Sequence, residues 1–297
     1  MTRARPEHTI GIDEGTTGVR AAVVASDGSV KGIAYREIPQ RYPEPGWVEQ
    51  DPTEIWQITR EVTTRALAEA RLGPGDVAAI GIANQRGSSV LFDREARALG
   101  PAVGWQDQRT LKRCDELMGR GVFASPLTAA SKYEWLVKHH AGGRRGADLR
   151  LGTIDTWLAS CLTAGGAHAT DHSNASVSGL YEFLEGRYDE RAIEAFELEP
   201  GWLPALGDTS GVIAETDPGA FGARVPIAAL AGDQHAAMYA LACHRPGSVK
   251  LSIGTSGMMN IHAGTSLTAA GPGAYPLILW SIGGVRSFCL EGTTITA

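Results

Sequence analysis

The amino-acid sequence predicts an α/β domain on a mixed sheet that opens with antiparallel strands, and three observations predict it. Short apolar runs at 9–13, 19–24 and 30–37 follow one another across tight polar turns before any helical period appears. A helical repeat beginning near residue 51 then leads into a buried strand at 76–83, Val-Ala-Ala-Ile-Gly-Ile-Ala after Asp76. The Gly15-Thr16-Thr17-Gly18 turn joins strand to strand, whereas a dinucleotide-binding βαβ unit needs its Gly-rich turn between a strand and a helix.

Each element has a local reason. The first run ends in a carboxylate, Asp13, and Ser26-Asp27-Gly28 is a hairpin signal between the second and third runs. Residues 42–52 form a loop rich in Pro and Gly. Asp51-Pro52-Thr53-Glu54 starts a helix: Asp51 caps, Pro52 suits the first turn, and Glu54 reaches back as in a capping box. Ile55, Ile58, Val62, Ala66 and Ala70 then recur at helical spacing. Helices are predicted at 110–118, 131–140, 151–162 and 187–196, a loop at 141–146 and a buried strand at 225–230. There is no GxxxxGK[ST] phosphate loop. By fold-level analogy this order fits an actin-like or ribonuclease H-like domain.

An internal echo divides the chain. The run at 249–253 followed by Gly254-Thr255-Ser256-Gly257 repeats the arrangement at 10–18, as a second domain of the same kind would begin. Residues 1–245 are therefore expected to be a first domain and 246–297 the start of a second. That remainder is too short to bury a core of its own. The chain is thus expected to be a fragment or truncated product of a two-domain protein, with apolar surface exposed along 249–297.

Composition narrows the function. Across 297 residues, 43% hydrophobic and 20% charged, there is ample material for a core. A net charge of -6 argues against nucleic acid or an acidic membrane as partner, though not against a small anion held by local groups. Cys114, Cys161, Cys243 and Cys289 are far apart without CxxC spacing, which predicts reduced thiols in a cytoplasmic protein. Residues 1–8 lack the apolar centre of a signal peptide, no apolar run approaches ~18 residues, and no His/Cys cluster fits zinc. A homo-oligomer is left open.

Several short strings carry possible chemistry. In Asp13-Glu14-Gly15-Thr16-Thr17-Gly18, glycines admit a phosphate close to the backbone, the Thr hydroxyls donate to it, and Asp13 is placed to hold Mg²⁺ beside it. Arg20 adds a cation. Alone, the string fits a hairpin with polar tips equally well. Gly254 and Thr255 repeat the device. Asp233, between an apolar strand and a small-residue helix, reads as a helix cap or as a general base taking a proton from a hydroxyl. Arg86, at the end of the 76–83 strand, reads as a surface residue or as a donor to substrate hydroxyls or phosphate. Trp105 stands beside polar groups, as in many sugar sites. Trp47 and Trp157 read as core.

Together these segments resemble the FGGY carbohydrate kinases, with the glycerol kinase pattern in particular. The matching strings are Ile12 to Thr17, Tyr42-Pro43-Glu44-Pro45-Gly46-Trp47-Val48-Glu49-Gln50-Asp51-Pro52, Ile80 to Arg86, Gly152 to Leu158, Thr170-Asp171-His172-Ser173-Asn174-Ala175-Ser176 and Ala231 to His235, in family order. The resemblance implies two actin-like domains closing on ATP and a polyol or sugar, with Mg²⁺, and transfer of the γ-phosphoryl group to a primary hydroxyl. It places the catalytic base on Asp233 and the metal ligand on Asp13. Phosphate contacts fall on Gly15, Thr16, Thr17, Arg20, Gly254 and Thr255, and substrate contacts on Arg86, Gln85, Gln234, Trp105 and Asp233. It also implies that the adenosine pocket belongs mostly to the second domain, so this chain is expected to be inactive alone. Three departures point away from glycerol: Gly87 replaces a substrate-binding Glu, which is expected to open space, and Leu127 and Met258 replace substrate-contacting aromatics. A second reading is a non-catalytic relic serving as a ligand-binding or interaction domain.

Overall fold

The computed structural model describes residues 7–253, 256–267 and 270–295. Its main element is a ten-stranded sheet in the order Val249–Ile253, Ser256–Gly264, Val285–Ile295, Ala274–Ile282, Ser210–Glu215, Pro226–Gly232, Val77–Asn84, His8–Gly15, Gly18–Ala25, Val30–Glu37. His8–Gly15, Val77–Asn84 and Pro226–Gly232 run parallel, and the two hairpin strands after His8–Gly15 run antiparallel to their neighbours. This is the mixed α/β sheet that the opening runs predict. Period-two alternation sets the faces. Along the first strand, Ile10, Ile12 and Glu14 point into the protein, while Thr9, Gly11 and Asp13 face out.

The helix Pro52–Ala70 covers the inner face of the opening strands. Asp51 caps it by accepting from the Thr53 and Glu54 amides, as expected. Glu54 does not reach back to complete a capping box. Its carboxylate lies 3.7 Å from Arg41 instead, a cation that local sequence does not reveal. Ile55, Ile58, Val62 and Ala66 form one core with Ile10, Ile12, Val19, Val23, Ile80, Ile82, Trp157 and Leu230. A second cluster surrounds the Ala129–His140 helix through Leu117, Tyr133, Leu136, Phe196 and Trp202. No helix among the described residues is long and apolar enough to cross a membrane.

Two predicted helices begin later than expected. Arg150–Thr153 is a strand, pairing with Ser89–Phe92, and the helix is Ile154–Leu162. Arg187–Tyr188 pairs with Tyr181–Glu182, and the helix is Glu190–Ala195 behind an Asp189 cap. Strand pairing overrides a local helical period in both cases, with a strand remote in sequence in the first and within a short hairpin in the second. Trp157 is core, whereas Trp47 is half-buried, its ring 3.8 Å from the Arg109 guanidinium carbon.

The segment after 246 adds two hairpins to the same sheet. Among the described residues one strand pairing, Ser210 with Ile282, joins them to the rest of the sheet. Asp208 and Thr209 reinforce the seam through Ser281 and the Gly284 amide. Behind it, Met238, Cys243, Leu277, Leu279, Trp280 and Cys289 pack together. Val249, Leu251 and Ile253 stay exposed along the sheet edge, Ile253 at 84%. Their alternate neighbours Lys250 and Ser252 face the other way, toward the site described next.

Candidate active site

Three parallel strands end level with one another, and their ends carry the candidate chemistry. Asp13 pairs in register with Ala83, which pairs with Ala231, so Asp13 and Asp233 emerge at the same sheet edge with one strand between them. The Asp13 carboxyl senses the Asp233 charge. Burial raises the Asp13 carboxyl above its ordinary value, Arg20 at 3.6 Å opposes the shift, and the Asp233 charge adds to it. Asp233 is the first residue of the Asp233–Ala240 helix and does not occupy the cap position, which Gly232 takes. Its Oδ1 accepts from the Gln234 amide at 2.7 Å and lies 3.5 Å from Arg86 Nε.

The Gly15–Gly18 turn closes the hairpin beside Asp13. Its carbonyls are occupied: Thr16 O accepts from Gln40 and Gln50 side-chain amides, and Thr17 O from the Ile38 amide. Trp105 Nε1 donates to Thr16 Oγ1 at 3.0 Å, tying the predicted sugar-site aromatic to the predicted phosphate turn. Thr17 remains exposed. Gly254 and Thr255, the second phosphate turn of the sequence reading, lie outside the described residues.

Gln85 departs from the expectation of a substrate contact. It is buried, and its Nε2 donates to Glu14 Oε1 and to Gln50 Oε1, both at 2.8 Å, while Ser88 donates to its Oε1. The side chain braces the turn from beneath: Gln85 follows the last residue of the Val77–Asn84 strand, and its backbone amide donates to the Glu14 carbonyl. Glu14 is fully buried, its Oε2 has no partner, and burial raises its carboxyl well above the ordinary range. A folded value above the unfolded one means that the proton favours the fold. The stabilisation is complete below about pH 4 and is withdrawn as pH climbs toward the raised value. Glu14→Gln is therefore expected to gain on the wild type by about 3 °C in melting temperature between pH 5 and pH 8. A difference that stays constant across that range would show that Glu14 does not titrate this way.

Arg86 is the hub of the site. Its Nη2 lies 2.9 Å from the Glu291 carboxylate, its Nη1 3.5 Å from His235 Nε2, and only 8% of its side chain is exposed. Gly232 makes room for it: a Cβ there would stand 2.6 Å from Arg86 Cδ. Glu291 also accepts from Asn260 Nδ2 at 2.6 Å and from the Tyr275 hydroxyl at 3.1 Å. Although buried, its carboxyl is held below the ordinary value by the Arg86 charge. Burial and Arg86 push His235 down to about 3, so its ring is neutral. Lys250, only 6% exposed, donates to Gln234 Oε1 and, at 3.4 Å, to Asn260 Oδ1. Sequence reasoning missed Glu291, Lys250, Asn260 and Tyr275. The one available signal was a lone acid following Phe288-Cys289-Leu290 in an otherwise apolar run.

Gly87 is not the opening that the sequence suggests. Its φ is +75°, and a Cβ there would stand 2.6 Å from the Leu127 carbonyl oxygen. The space left by the missing carboxylate side chain is filled by backbone.

The 152–158 and 170–176 strings prove to be architecture. Asp155 is buried among the hydroxyls of Thr153 and Thr170, and its carboxyl is raised to about 6 by that burial. Asp171 caps the His172–Ser176 helix and accepts from Thr209. Ser173 Oγ in turn accepts from the Gly232 amide, fixing the strand end before Asp233.

Known proteins are similar to this chain in sequence and in fold. The sequence model for the "FGGY family of carbohydrate kinases, N-terminal domain" matches residues 8–240. A glycerol kinase of Carboxydothermus hydrogenoformans is 36% identical over 306 residues, covering 98% of this chain and 61% of the relative. Among solved structures, Plasmodium falciparum glycerol kinase with ADP is similar at a TM-score of 0.88 and 22% identity, covering 96% of this chain and 60% of that one. Xylulose kinase from Rhodospirillum rubrum is similar at 0.84 and 23% identity, with 96% and 60% covered. The chain thus spans about 61% of the length of the curated relatives it matches.

Proposed function

Given that the chain belongs to the FGGY family of carbohydrate kinases, we propose that it forms the substrate-binding part of an ATP-dependent phosphotransferase acting on a primary hydroxyl of a polyol or sugar. The meeting of Asp13 and Asp233 across one strand, beside the 15–18 turn, carries this reading. Asp233 accepts the proton of the attacking hydroxyl. The hydroxyl oxygen bonds to the γ-phosphorus of ATP as the bond to the β–γ bridging oxygen breaks, and ADP leaves with that electron pair. Arg86, Gln234 and Trp105 line the substrate side. Gly15, Thr16, Thr17 and Arg20 meet phosphate, with Gly254 and Thr255 assigned to the opposite grip by their echo of the first turn. Residues 1–245 are read as the domain of substrate and base, and 246–297 as the beginning of the second.

The donor set fits Mg²⁺. That ion binds through one or two carboxylates plus phosphate oxygens and keeps several waters. Asp13 offers a half-exposed carboxylate at the strand end, and no group of three or more His, Cys, Asp or Glu is placed for a metal among the described residues. Asp13 would hold the ion, which when bound neutralises charge on the phosphates.

On its own the chain is expected to bind at least one polyol or sugar without nucleotide and to transfer phosphate at close to background rate. Calorimetry against a panel of triols, tetritols, pentoses and hexoses, with a labelled-ATP transfer assay alongside, checks both. Any transfer that remains should fall about 10²- to 10⁴-fold in Asp233→Asn. Robust transfer by residues 1–297 would refute the inactivity. Undiminished transfer by the variant would remove Asp233 as the base. Binding of glycerol above every larger ligand would refute the reading of the substrate as something other than glycerol.

A further inference from the structure

Resting on that reading of the cleft, we propose that Lys250 is a positioning residue that fixes the Gln234 side chain as a hydrogen-bond donor to the ligand. A glutamine amide has one accepting and one donating end, and nothing in the residue itself decides which end faces a ligand. Lys250 decides it, because an ammonium only donates. Its Nζ is bonded to Gln234 Oε1, and Ser252 Oγ reaches the same oxygen at 3.5 Å. Both groups come from the inward-facing side of the Val249–Ile253 strand. Among the described residues no acceptor meets Gln234 Nε2, so the NH₂ end is the one left for a ligand.

The polarity is locked one step further back. Lys250 also donates to Asn260 Oδ1, which leaves the Asn260 Nδ2 to donate to Glu291 Oε2. Glu291 holds Arg86, and Arg86 Nε faces Asp233. The chain of contacts from Gln234 through Lys250, Asn260, Glu291 and Arg86 to Asp233 is directional throughout. Reversing either amide would set an NH₂ against an ammonium. At the cleft this gives two neighbours opposite tasks: Gln234 donates to a ligand oxygen, and Asp233 accepts a ligand proton.

Three variants of the 1–297 chain test this, titrated calorimetrically with glycerol, erythritol, xylulose and fructose. For whichever probes bind the wild type, Lys250→Met is expected to weaken binding tenfold or more. Lys250→Arg, which still donates, should stay within about threefold. Gln234→Glu keeps an oxygen for Lys250 but loses the NH₂; it should weaken binding as much as Lys250→Met without lowering the melting temperature. Wild-type affinity in either Lys250→Met or Gln234→Glu overturns the inference and leaves the cleft reading standing. Should Lys250→Met fail to fold, wild-type affinity in Gln234→Glu alone overturns it. If no probe binds the wild type, the cleft reading falls and takes this inference with it.

Discussion

Arg86→Ala is expected to destabilise the chain by about 3–5 kcal/mol, a drop of about 10 °C in melting temperature. The cost does not come from the attraction between Arg86 and Glu291 alone. Two ions taken from water into a low-dielectric interior regain only part of their hydration through each other. The large effect comes from what remains: Glu291 is 2% exposed and, without the guanidinium, keeps among the described residues only Asn260 and Tyr275 as donors. A buried carboxylate in that state takes up a proton or admits water. The double variant Arg86→Met with Glu291→Leu removes both charges and should lose less than the single variant. Urea unfolding of the three proteins checks the order. A single variant no less stable than the double would show that the pair is not the buried unit described above.

Gly87→Glu is the change that a family comparison invites, since it restores an acidic side chain beside Arg86. It is expected to fail twice. The left-handed backbone at φ +75° costs a residue with a Cβ about 1–2 kcal/mol. In addition, the Cβ would stand 2.6 Å from the Leu127 carbonyl oxygen, which is backbone and cannot rotate away. We expect a loss of at least about 2 kcal/mol by denaturant titration and no gain in affinity for glycerol by calorimetry. A stable variant with improved glycerol binding would show that the segment carrying Leu127 yields easily. The expected result makes Gly87 and Leu127 a coupled pair: the acid returns only if the chain around 127 is rebuilt with it.

Much of the front of the molecule was legible because local rules acted without opposition. Alternating Ile10, Ile12 and Glu14, the Asp27-Gly28 turn and the Asp51 cap each specify their element from within a few residues. Alternation also separates Asp13 from Glu14, although both read as polar tips in a string. Legibility failed where partners are distant. The 150–153 strand exists because the remote 89–92 strand pairs with it. Gln85 sits beside Arg86 in sequence but faces inward, a fact carried by Gln50 and Ser88. The back wall of the site is the clearest case. Lys250, Asn260, Tyr275 and Glu291 reach Gln234 and Arg86 only after two hairpins are laid along the sheet, and no spacing in the sequence encodes that.

The four cysteines have a use that packing gives them. Each is a buried free thiol: Cys161 in the core under the first strands, Cys114 in the cluster around the Ala129–His140 helix, and Cys243 with Cys289 behind the seam that joins the last hairpins. Burial pushes the Cys289 thiol up to about 12 and raises that of Cys161 as well, so neither offers a thiolate while its cluster stays shut. Alkylation at each position therefore clocks the opening of one region. A peptide map of alkylation taken over time, with no engineered residue, would rank the three regions by how often they breathe.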